Sequence, residues 1–166
     1  MKRLTASVLL VLLTTPALAS AVAGDKAAYA GGTIARFNMP STRIEGRVEI
    51  HAGHFVFVPE NGPHPAEALR IGYESIRHLE FGQRAARRAP LVVAATAIFG
   101  PLGLVSLSAK SRAHYLTLTY AGEHGRTEVM VIELGKHVVR STLAVVEARS
   151  GVPIEYQDEE ARKWRR

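Results

Sequence analysis

Apolar and polar positions alternate strictly over residues 44–51, I-E-G-R-V-E-I-H, setting Ile44, Gly46, Val48 and Ile50 on one face and Glu45, Arg47, Glu49 and His51 on the other. That pattern predicts a half-buried strand. Ala52 and Gly53 make a two-residue turn, and the aromatic and β-branched run over 55–58 predicts the returning arm of a hairpin. A further strand is expected over 33–37. Residues 59–65 carry three prolines and Asn61-Gly62, so they read as a loop, because proline cannot donate to a ladder. Leu69 and Ile71 mark a short strand, 72–75 a turn, and 76–81 a second extended apolar stretch. Over 114–120, Leu116 and Leu118 alternate with Tyr115, Thr117 and Thr119, and 127–134 comes back after a bend at Glu123-His124-Gly125. About seven short strands result.

Residues 136–150 break this rhythm. Val139, Leu143 and Val146 recur at helical spacing, with Val138, Thr142 and Val145 beside them. The valines would suit a strand nearly as well, but the end of the segment decides for helix. Arg149 lies in the last turn, Gly151 can take the left-handed cap, and Pro153 stands where helices stop. Residues 154–156 suggest one more short strand, and 158–166 are expected to be a charged, frayed tail.

One stretch fits neither period. Residues 89–109 hold no charged side chain, and the region from Glu80 to Glu123 has no acidic residue between them but five basic ones: Arg84, Arg87, Arg88, Lys110 and Arg112. Twenty-one uncharged residues are long enough to cross a bilayer as a helix. The Gly100-Pro101-Leu102-Gly103 centre argues against that, since each glycine costs a straight helix about 1 kcal/mol and the proline about 3 kcal/mol. A single crossing would also put strands of one sheet on opposite sides of the membrane. The expectation is a hairpin of two apolar arms, with Leu91, Val92, Val93, Ile98, Phe99, Leu102, Leu104, Val105 and Leu107 as the lipid-contacting side chains. The five flanking basic residues would meet an anionic surface, each contributing roughly 1 kcal/mol. Burial of the arms against protein, in the domain itself or in a homo-oligomer, is the competing placement, and a true span the third.

The first residues set the compartment. Lys2 and Arg3 precede an apolar run over 4–13, and Ala17-Leu18-Ala19 and Ala21-Val22-Ala23 each fit the small-residue rule for signal cleavage. A signal peptide within 1–23 and an exported, periplasmic or cell-envelope domain over 24–157 are expected. Cleavage after Ala19 removes two basic residues and no acidic one, lowering the formal charge from +6 to +4. There is no cysteine, so stability has to come from burial rather than disulfides.

Antiparallel strands closed by one C-terminal helix, together with Ile71, Tyr73, Ile76 and Leu79 in L-R-I-G-Y-E-S-I-R-H-L-E-F-G-Q, resemble bacterial PH-like and GRAM-like domains over about residues 30–157. The resemblance implies an α+β, mainly antiparallel PH-like barrel or sandwich with an apolar insertion. It also implies binding of headgroups, peptides or partner proteins rather than catalysis. The first hairpin departs from the lipid-binding pattern, with Arg43 and Arg47 before it and no cluster of basic residues at its turn.

Other chemistry is thin. His51 and His54 flank a turn, with Glu49 and Glu60 the adjacent carboxylates and no third ligand at metal spacing. No serine stands in a G-x-S-x-G setting, and Gly31-Gly32-Thr33 lacks the lysine of a phosphate loop. No recognition helix supports nucleic-acid binding. Arg162, Lys163, Trp164, Arg165 and Arg166 form a basic and aromatic cluster in the tail, partly neutralised by Asp158, Glu159 and Glu160. The reading is therefore a non-enzymatic binding or scaffolding module without metal or cofactor. Its expected partner is a membrane surface, with a protein partner or homo-oligomer as the alternative.

Overall fold

The computed structural model describes residues 22–34, 37, 43–61, 67–83, 113–122 and 125–165. They form an open mixed sheet of eight strands with two short helices. In chain order the elements are β1 (Val22–Gly32), β2 (Ile44–Ile50), β3 (His54–Pro59), β4 (Leu69–Gly72), β5 (Ile76–Gly82), β6 (His114–Ala121), β7 (Thr127–Leu134), α1 (Val139–Ser150), β8 (Ile154–Tyr156) and α2 (Glu159–Arg162). Across the sheet the order is β4-β3-β2-β1-β7-β6-β5-β8, antiparallel throughout except that β8 runs parallel to β5.

The alternation in β2 is realised as expected, with Ile44, Gly46, Val48 and Ile50 buried. They join a core to which all eight strands contribute, including Tyr29, Phe55, Phe57, Ile71, Leu79, Phe81, Leu116, Met130, Ile132 and Ile154. The sheet therefore curls around its own apolar side chains. Helix α1 lies on this inner face through Val139, Thr142, Leu143 and Val146. It ends at Gly151, whose φ of 69° is the left-handed cap and whose N–H donates to the Glu147 carbonyl.

Three expectations are corrected. The first strand is not at 33–37 but upstream at Val22–Gly32. Its alanine-rich sequence gives no alternation to read, yet it pairs with both β2 and β7. It stops at Gly32, where a Cβ would collide with the Val129 carbonyl and the Tyr29 hydroxyl. Thr33 then pins the chain, donating its N–H to the Val129 carbonyl at 2.9 Å and accepting the Val129 N–H on its Oγ1 at 2.8 Å. Second, α1 begins at Val139, because 136–138 form a turn. Third, 158–165 is not frayed. Asp158 caps α2 by accepting the Ala161 N–H at 2.8 Å, Ala161 is fully buried, and residues 163–165 continue as a 3₁₀ turn. Strand β6 is buried on both faces, from His114 to Tyr120.

Candidate functional site

Strand β4 ends the sheet on one side, and a 3₁₀ turn at Tyr73–Ser75 carries the chain from it into β5. Between β4 and the far end of the β6–β7 hairpin lies an open groove of about 540 Å³, within the usual size of ligand sites. Leu69, Arg70, Ile71, Gly72 and Ser75 line one wall, and Ile34, Tyr120, Ala121, Gly122 and Glu128 the other.

The hairpin register sets the polar groups of the second wall. Tyr120 and Glu128 are direct partners across β6 and β7, and the Tyr120 hydroxyl donates to Glu128 Oε2 at 2.7 Å. Behind that wall the buried Tyr29 hydroxyl is pushed far up from its ordinary range, first by burial and further by the Glu128 charge. On the first wall Ser75 Oγ donates to the Gly72 carbonyl at 2.7 Å, so its proton is committed to the backbone. Arg70 is exposed, and among the described residues no histidine or cysteine lines the groove. Such a set offers apolar contact, one charge of each sign and hydrogen bonds, which suits holding a ligand. Sequence reasoning missed this site because its walls are strand ends that the chain separates by about fifty residues. The one legible signal was the placing of a tyrosine and a glutamate on either side of a short turn.

The histidine pair does come together. The His51 and His54 rings stack with centroids 4.9 Å apart, and His51 Nε2 lies 3.1 Å from Glu49 Oε2. The hydrogen bond to His51, with Arg47 adding to it, holds the Glu49 carboxyl below its ordinary range. Glu60 turns to Arg47 instead, at 3.7 Å. Among the described residues no group of three or more histidine, cysteine, aspartate or glutamate side chains could hold a metal ion.

The expected membrane-contact residues Leu91, Val92, Val93, Ile98, Phe99, Leu102, Leu104, Val105 and Leu107 lie outside the described residues, as do Arg84, Arg87, Arg88, Lys110 and Arg112. The points where the chain departs and returns are described. Gly82, near the end of β5, pairs directly with Tyr115, near the start of β6. Beside this root, Ala113, Tyr115, Val129 and Val131 form a second apolar cluster, separate from the main core and joined by Ala30. Each is under a tenth exposed, although both helices give their buried side chains to the main core. Glu80 is also buried at this end of β5. Its Oε1 accepts from Gln157 Nε2 at 2.9 Å, while Oε2 has no hydrogen-bond partner among the described residues. Among the described residues no helix is long and apolar enough to cross a membrane.

No known protein family matches the chain, and no curated protein is similar to it.

Proposed function

We propose that this protein is an exported, non-catalytic PH-like binding module, held at an envelope membrane surface by its apolar insertion at 89–109. The observation that carries the reading is the pairing of Gly82 with Tyr115. Neighbouring strands stand about 4.8 Å apart, whereas a single crossing would part the two ends of the insertion by a hydrocarbon core of about 30 Å. This spacing supports an uncharged run that goes out and comes back on one side, which fits a re-entrant hairpin better than a span. The element order, antiparallel strands followed by a helix whose buried face joins the core, supports the PH-like assignment. Strand β1 favours the earlier cleavage site: cutting after Ala19 leaves it whole, whereas cutting after Ala23 removes Val22 and Ala23, the ladder partners of Ile50 and Glu49.

A second reading has its own observation. The low exposure of Tyr115, Val129 and Val131 supports burial of the apolar run against protein, in a soluble interaction domain or a homo-oligomer.

Vesicle flotation of the mature protein separates the two. On the membrane reading it floats with vesicles containing phosphatidylglycerol, floats poorly with phosphatidylcholine alone, and stays at the bottom once 89–109 is replaced by a short Gly-Ser turn. Circular dichroism of that variant should remain β-rich. A replacement variant that still floats defeats the membrane reading. A wild-type protein that never floats and sediments as a dimer supports the second.

A further inference from the structure

The groove beside β4 has a backbone as well as side chains. Residues 69–72 pair with 54–57 of β3, and one bond beyond the ladder the Tyr73 N–H donates to the Gly53 carbonyl at 3.2 Å. Antiparallel strands turn alternate residues toward and away from a given neighbour. Tyr73, Ile71 and Leu69 thus bond to β3, and Arg70 and Gly72 present their backbone groups to the groove. Ser75 takes the Gly72 carbonyl. The Arg70 N–H and C=O and the Gly72 N–H remain, and none of the three has a hydrogen-bond partner among the described residues.

We infer that this edge takes an extended peptide from a partner protein, which adds a strand beside β4. The inference deepens the binding-module reading by naming the ligand class, and it does not depend on membrane attachment. Two donors and an acceptor at strand spacing match the main chain of another strand. The groove supplies the specificity. Ile34, Leu69 and Ile71 line it but are buried in the core, so aliphatic side chains of the incoming strand meet little of them and the charges at the rim carry the choice. Arg70 on one wall favours an acidic residue beside it, and Glu128 on the other favours a basic one. A neutral, purely apolar strand would leave both charges unmatched.

The backbone at Gly72 provides the test. Its φ of −65° and ψ of 137° are values that proline adopts, and the nearest atoms to a Cβ there belong to the movable Glu74 carboxylate. Gly72→Pro therefore deletes the outward donor while leaving the ladder to β3 intact, and Gly72→Ala controls for the added Cβ. The probe is the capped peptide acetyl-Val-Glu-Val-Lys-Val-amide, titrated into ¹⁵N-labelled mature protein. The amide signals of Arg70 and Gly72 should shift together, and their hydrogen exchange should slow. Gly72→Pro should weaken binding about tenfold, the equivalent of one hydrogen bond of about 1.4 kcal/mol, while Gly72→Ala binds nearly as the parent does. A probe N-methylated on the amides that face β4 tests the same bond from the other side, so the outcome does not hang on the proline variant folding. Absent shifts at Arg70 and Gly72, or equal binding by the N-methylated probe, overturn the inference. So does a peptide-free dimer abolished by Gly72→Pro, which would assign the edge to a second copy. Vesicle flotation should be the same for Gly72→Pro and parent, which keeps failure here apart from failure of the membrane reading.

Discussion

The two outer strands of the sheet are finished differently. At the β8 side the chain protects its own edge. The Ile154 N–H, turned away from β5, is taken by the Glu147 carboxylate of α1 at 3.0 Å. Gln157 continues the pairing by donating its N–H to the Phe81 carbonyl, and the tail then folds back until Trp164 meets the His114 ring at 4.5 Å and Arg140 at 5.8 Å. At the β4 side nothing comparable occurs among the described residues, and Arg70 and Gly72 face an open groove. Exposed strand edges are a hazard that proteins blunt by short strands, charges or cover. Here one edge is covered and the other keeps a single arginine, the expected division of labour if the second edge is meant to be met.

The largest effect should come from breaking the covered side at its centre. Phe81 is fully buried, with Tyr156 at 6.1 Å and His114 at 6.3 Å. Phe81→Ala should cost about 3–5 kcal/mol, read as a lower urea midpoint for the whole domain. Next comes the tail. Trp164→Ala removes a partly buried aromatic and its contact with Arg140, and should cost about 1–2 kcal/mol. Faster amide exchange over 154–165 and an unchanged groove would localise the loss to the covered edge.

Acid should weaken the same place. Burial, helped by Lys136 and opposed by Glu133, holds the His114 imidazole below its ordinary value of 6.5. Its Nδ1 is buried without a hydrogen-bond partner among the described residues. The unfolded chain then binds a proton that the folded state resists, so stability falls as pH drops through about 6.5 and levels off once both states are protonated. Melting temperature against pH should show that step, and His114→Phe should flatten it. The smallest effect is expected at the open edge, where Arg70→Ala should move stability by no more than about 0.5 kcal/mol while weakening the peptide probe. A large destabilisation by Arg70→Ala would mean that this edge is part of the scaffold, and the contrast would collapse.

Much of the fold was legible where one face met water. The alternation in β2 could be read because inside and outside residues differ in polarity, and the turn at Ala52-Gly53 and the Gly151 cap because glycine marks them. Strand β1 could not, since alanine and glycine fit either side of a sheet and leave no periodic signal. Both faces of β6 are buried, so its threonines at 117 and 119 mark no side that meets water. The groove was illegible for a different reason. It is made of strand ends brought together by the curl of the sheet, and its main-chain donors carry no sequence signature at all.

Strand β1 also sets the timing of folding. It joins the two halves of the sheet, with Ala27 paired to Gly46 on one side and to Leu134 on the other. The first of these partners is near in sequence, whereas the second must close a loop of more than a hundred residues. A chain that emerges N-terminus first can build the β2–β3 hairpin early, but its sheet stays split in two until β7 has arrived. Assembly of this sheet is thus a late event that waits for residues 127–134, and until they arrive the strands before them have no finished sheet to join.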